Sequence, residues 1–178
     1  MESNVLFPGV KVGETFTVGG IEFIRFPEMD GGVPAVAKDL VFRSVFGKTT
    51  NLAESEVLRR LQEDVLPKIE AEVGAENLLP IHTDLTALDG LKPYPVLESR
   101  VSLPTFDFYR KNVELFDRYP VDRWWWLATP DCAPPHSGSP WVVCVAPGGD
   151  INVSSCYYGR GVRPFCIFHP SIFDSCAA

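Results

Sequence analysis

Histidine is scarce in this chain: three in 178 residues, His82, His136 and His169, set far apart. The five cysteines, Cys132, Cys144, Cys156, Cys166 and Cys176, all fall in the last third, and no two form a C-x-x-C pair. Zinc sites need clustered ligands at short spacings, so this pattern gives a metal centre poor support. An odd count is also a poor disulfide framework. Reduced, partly buried thiols are the expectation, as in an intracellular protein. No stretch approaches the roughly 18–20 apolar residues that span a bilayer. The opening MESNVLFPG lacks a charged region followed by an apolar run, so no signal peptide is read. A soluble chain made in the cytoplasm, without membrane contact, is expected. Positive charge is short too: 16 Lys and Arg against 23 Asp and Glu leave a net −7. An acidic chain repels phosphates, which argues against direct nucleic-acid binding. That charge reads either as ordinary solubility or as an acidic patch for a basic partner. G-x-S-x-G, P-loop, H-E-x-x-H and G-x-G-x-x-G motifs are all missing, so no catalytic residue and no cofactor is assigned.

What is present is apolar and aromatic. A content of 46% hydrophobic and 12% aromatic residues describes a folded core rather than a disordered chain. The length suits one domain, with its core over about residues 12–168. Trp124, Trp125 and Trp126 are contiguous, and Trp141 follows fifteen positions after the last of them. Indoles carry the largest apolar surface of any side chain, so Trp125, Trp126 and Trp141 are expected to be structural anchors.

Residues 12–46 read as a β-meander. Thr15–Val18 and Ile21–Phe26 flank Gly19-Gly20, a hairpin signal because primed turns need positive φ. Gly31-Gly32 leads into Val33–Val36, and Leu40–Phe46 reads as a further strand. Residues 51–73 read as the main helix, with Asn51 and Glu54 as a capping box and Gly74 at its end. Val57, Leu58, Leu61, Val65, Ile69 and Val73 form its apolar stripe. Pro67 removes one helical hydrogen bond, which predicts a kink or two shorter helices meeting near Leu66. A shorter helix is predicted from about Thr105 to Phe116. The last third is again β: strands at Trp124–Leu127, Trp141–Val145, Ile151–Tyr158 and a closing Val162–Phe168, with loops at Asp131–Ser139 and Gly159–Gly161. The Trp strand and the Val-Arg-Pro strand are expected to be buried neighbours in one sheet.

Two short motifs resemble a known family. Trp125-Trp126-Leu127-Ala128-Thr129-Pro130 is similar to W-W-L-R-[ST]-P, and Gly161-Val162-Arg163-Pro164-Phe165-Cys166 is similar to G-V-R-P-A-L. Both are hallmarks of an uncharacterised domain family of gut bacteria and their prophages. The chain departs from the pattern at Ala128, where the family has arginine, and at Phe165-Cys166. That family is similar in fold to C-type lectin-like domains and to the formylglycine-generating enzyme superfamily. The resemblance implies an α+β fold of C-type lectin-like type, with an N-terminal β-meander and C-terminal strands around a Trp-rich core. It carries no established activity. It implies binding through the C-terminal loops, since loops on a rigid sheet are a common place for recognition.

The residues assigned to that binding surface are Asp131, His136, Ser137, Tyr157, Tyr158 and Arg160. Tyr and Arg are favoured at interface hot spots; ordinary sheet packing and a solvated arginine are the plain alternative. Arg163, between Val162 and Pro164, must find carboxylate or carbonyl partners and is expected to be an internal tie, with anion binding as the alternative. His136 and Ser137 are adjacent but lack a third orienting group, so they make no catalytic pair. The expectation is therefore a non-enzymatic phage or prophage binding module. Its partner is a protein, a host protein among the candidates, and it acts in the bacterial cytoplasm or on the virion. Two alternatives stand beside it. One is an acidic inhibitor of a host defence nuclease. The other is a copper- or thiol-dependent oxidase using Cys144 and Cys156, if these face each other across the hairpin.

Overall fold

The computed structural model describes residues 5–133, 136 and 140–174. In chain order the strands and helices are β1 (Thr15–Val18), β2 (Ile21–Arg25), β3 (Val33–Ala37), β4 (Phe42–Val45), α1 (Glu56–Arg60), α2 (Leu66–Val73), β5 (Ile81–Thr83), β6 (Leu97–Ser99), α3 (Phe106–Lys111), α4 (Val113–Asp117), β7 (Trp125–Pro130), β8 (Trp141–Val145), β9 (Ile151–Ser155), β10 (Gly159–Val162) and β11 (Phe165–Phe168). It is a mixed α+β fold, mostly strands with one main helical segment.

The strands form a four-stranded sheet, β1-β2-β3-β11, a five-stranded sheet, β4-β10-β7-β8-β9, and a small β5-β6 pair. The first hairpin is as expected: Gly19 and Gly20 both have positive φ, and Val18 faces Ile21. The meander, however, stops at β3. The Leu40–Phe46 run yields a strand that leaves the first sheet and becomes the edge of the second, paired with β10. The closing run Val162–Phe168 divides in the same way. Gly161 pairs with Trp125 in the second sheet, whereas Phe165–Phe168 pairs with Val33–Val36 in the first. The expected single closing strand is thus two strands in different sheets, broken at Arg163-Pro164. Proline has no N–H to give to a ladder, which favours a break there.

Two chain segments therefore cross between the sheets side by side. Residues 38–41 link β3 to β4, and Arg163-Pro164 links β10 to β11. They are joined by Ala37 N–H to Pro164 O at 3.0 Å and Val41 N–H to Val162 O at 2.9 Å.

Strands β3, β7 and β11 are buried along their whole length, and alternation divides the buried apolar residues of the strands between two cores. Trp126, Val142, Cys144, Cys166 and Phe168 point to one core, together with Phe16, Phe23, Leu61 and Ile69. Trp125, Leu127, Val143, Phe165 and Ile167 point to the other, together with Phe26, Phe108 and Phe116. α1 and α2 cover the first core; α3 and α4 cover the second.

The main helix divides at its proline as predicted. The α-helical hydrogen-bond pattern gives way to a π-helical turn over Leu61–Val65, where Leu66 N–H reaches Leu61 O, and α2 starts at Leu66 with Pro67 in its first turn. A π-bulge inserts one residue into the helical ladder, and the first turn is where a missing N–H costs least. The start differs from the expected capping box. Asn51 caps a short 3-10 turn at Leu52–Glu54, and Ser55 is the N-cap of α1, accepting from Leu58 N–H at 2.9 Å. The second predicted helix also divides, into α3 and α4 at Asn112, and Thr105 caps its start.

Candidate functional site

The tryptophan segment serves two environments. Trp126 is fully buried; its ring meets Phe46 edge-on at 5.4 Å, and its indole N–H donates to Ser44 O at 2.9 Å. Trp125 is buried on the opposite face among Tyr109 and Phe116. Trp124 is only half-buried and lies at the rim. Trp141, expected among the anchors, is instead 42% exposed at the outer end of β8. As the first residue of that strand it lies where the core no longer covers its face.

Arg163 is the internal tie, and its partners are carbonyls. It is 1% exposed, donates from Nε to Ala37 O at 2.8 Å and from Nη2 to Lys38 O at 3.0 Å, and lies 4.5 Å over the Trp125 ring. It therefore clips together the two segments that cross between the sheets. Burial pulls its pKa down to about 10, against a smaller opposing pull from Asp39. The G-V-R-P motif has a physical reading here. Gly161 leaves room for the Leu40 side chain, Val162 fills the first core, Arg163 ties, and Pro164 ends the strand.

The structure brings three of the predicted binding residues together. Tyr157 and Tyr158 sit on the turn between β9 and β10 and are 61% and 62% exposed. Arg160 donates from Nε to Ser154 Oγ at 3.0 Å. Its guanidinium lies 5.1 Å from the Trp124 ring and 5.9 Å from the Tyr158 ring. A cation held over indole is worth about 0.5–1 kcal/mol at an exposed site, enough to orient the side chain. Arg160 and Trp124 line a cleft of about 420 Å³ with Arg43, Arg123 and Asp122. Three arginines against one aspartate make this cleft basic within a chain of net charge −7. Tyr157 also borders a shallower groove with Val45, Lys48, Glu54 and Glu56. Trp124, Arg43 and Arg123 were missed from sequence. Only the run of indoles hinted at Trp124, and nothing local marks Arg43 as a neighbour of residue 160.

The remaining predicted site residues lie apart from this group. Asp131 donates its backbone N–H to Trp141 O at 3.0 Å and lines neither opening. His136 is exposed but has a partner, contrary to expectation: its Nδ1 is 2.9 Å from Asp89 Oδ2. Asp89 also accepts from the Ala133 and Leu91 N–H groups, which hold its carboxyl below the usual range. Asp89 thus pins the loop after β7, a role its Asp-Gly turn signal did not reveal. Ser137 lies outside the described residues.

Cys144 and Cys156 do not face each other in the β8–β9 ladder. Cys144 opposes Asn152, and Cys156 lies beyond the end of β9, giving its N–H to Pro140 O. Cys144, Cys156 and Cys166 are buried free thiols. Burial pushes the first up to about 11 and the last up to about 12, and raises Cys156 as well. Among the described residues no group of three His, Cys, Asp or Glu side chains is placed to hold a metal, and no helix is long and apolar enough to cross a membrane. No protein-family model, curated protein or solved structure matches the chain.

Proposed function

We propose that the chain is a non-enzymatic binding module of C-type lectin-like type, of phage or prophage origin, that recognises a protein partner through Tyr157, Tyr158 and Arg160. The observation that carries this reading is the pair of adjacent, largely exposed tyrosines on a turn, backed by an arginine already oriented over Trp124. Side chains ordered before binding lose less entropy on contact, and Tyr and Arg combine apolar area with polar tips. The fold reading draws on the return of β11 to the sheet built by the N-terminal strands.

The two alternatives draw less support. Along the main helix, Glu56 and Glu63 pair with Arg59, and Asp64 approaches Arg60, so the acidic face is locally offset. A thiol held well above its ordinary pKa is protonated near neutral pH and is a poor copper ligand or nucleophile.

The test is affinity capture from host lysate with the wild-type chain and with a Tyr157→Ala/Tyr158→Ala/Arg160→Ala variant, quantified by mass spectrometry. The expected result is a partner protein enriched by the wild type and lost by the variant. Equal recovery by both chains, or turnover of small thiol substrates, would overturn the proposal.

A further inference from the structure

Arg163 has donors that the crossover does not use. A guanidinium carries five N–H groups, and the ties to Ala37 and Lys38 run through Nε and Nη2 alone. Nη1 makes no hydrogen bond among the described residues, yet Arg25 Nε is the only side-chain N or O atom there that is both buried and unpartnered. Nη1 therefore keeps an opening. Arg163 lines a cavity of about 240 Å³ together with Tyr109, Phe116, Asp117, Tyr119 and Trp125.

The cavity has a cation in its wall, a carboxylate at its edge and aromatic sides. Arg163 is held in place from both sides, by the two carbonyls and by Trp125 and Phe116, whose rings lie 4.5 and 5.3 Å from its guanidinium carbon. Asp117 is exposed. The Tyr109 hydroxyl is occupied, donating to Gly149 O at 2.9 Å, and so fixes the turn that forms one side of the cavity. A simple anion would meet Arg163 but also the charge of Asp117, and a simple cation would meet the reverse. A ligand with both charges on one small body satisfies both groups. The volume lies below the roughly 300–1,000 Å³ of sites for drug-sized ligands, which suits one residue rather than a peptide.

We infer that this cavity binds a free α-amino acid, with its carboxylate on Arg163 Nη1, its ammonium toward Asp117 and an apolar side chain against the aromatic walls. The site is separate from the Tyr157–Tyr158 turn and does not rest on the protein-binding proposal.

The test uses the full chain and the twenty free amino acids, first by thermal shift and then by calorimetry. At least one is expected to raise Tm and to bind with a Kd below about 1 mM. Its decarboxylated amine and its deaminated acid should each bind at least about tenfold more weakly. Asp117→Asn, at an exposed position, should weaken the same amino acid by about tenfold while leaving the ligand-free Tm unchanged. Arg163→Lys should abolish binding; if that variant fails to fold, the analogue series and Asp117→Asn still decide. Binding by none of the twenty overturns the inference, as does a deaminated acid that binds as well as its parent amino acid.

Discussion

Arg160 and Arg163 are three residues apart and lie over neighbouring tryptophans, Trp124 and Trp125, at 5.1 and 4.5 Å. Residue type and partner chemistry are the same, yet the two do different work. Arg160 sits at a rim, half-exposed, with one side-chain partner in Ser154. Arg163 is enclosed, and its partners are two backbone carbonyls that belong to a different sheet crossing. The difference shows that environment, more than the residue, sets the role. A guanidinium at the rim can exchange its solvent for a partner, whereas the enclosed Arg163 takes its Nε and Nη2 partners from the fold and has only Nη1 left over.

The largest effect is expected from the tryptophans beneath the two arginines. Trp125→Ala should cost about 3–5 kcal/mol in urea unfolding, since a large buried ring leaves a cavity. Trp124→Ala, at the rim, should cost clearly less. Arg163→Met should cost about 2–4 kcal/mol, because the carbonyls of Ala37 and Lys38 lose their donor while the desolvation of a guanidinium is relieved. If Arg163→Met proved as stable as the wild type, the tie between the crossings would be unimportant.

A pH titration sharpens the contrast inside the core. The Cys144 and Cys166 thiols are raised from an ordinary 9.0 to about 11 and about 12. The unfolded chain therefore releases these protons first. Stability from this source is intact below about pH 9 and falls as pH rises toward the folded values. Arg163 acts in the opposite sense, with its folded form half deprotonated at about 10, and so offsets a smaller part of that fall. The window from about pH 9 to 10 should thus show a fall in stability that Cys166→Ala reduces, read from unfolding midpoints at stepped pH. At the small end, Tyr157→Ser and Tyr158→Ser should each change stability by no more than about 0.5 kcal/mol, as for surface positions in general. A larger loss would mean that these rings pack as structure.

Local features were legible in the sequence and pairing choices were not. Gly19-Gly20 marks its hairpin because the turn requires positive φ, and Pro67 marks the division of the helix because it lacks an N–H. Thr105 likewise announces the start of α3. These signals act within a few residues. Whether β4 stays with the meander or moves to the second sheet depends on partners more than a hundred residues away, such as Gly159 and Arg160. Strands buried on both faces also lose the apolar-polar alternation that would tell one face from the other; Trp125–Pro130 and Phe165–Phe168 are buried throughout. The Pro164 break was visible in principle, since proline has no N–H to give to a ladder. The short strand β6 escaped because three-residue strands carry almost no pattern. In the site, Tyr157, Tyr158 and Arg160 were read from their side-chain chemistry. Arg43 and Arg123 were not, because only the fold brings them to the same cleft.

The protein-binding role of the Tyr157–Tyr158 turn is tested most directly by a photo-crosslinking residue at Tyr158 and, in a separate chain, at exposed Glu28, with both chains irradiated in bacterial lysate. A single protein adduct is expected at position 158, absent at position 28 and suppressed by Arg160→Ala. The same adducts from both positions, or an adduct at 158 that survives Arg160→Ala, would contradict that role.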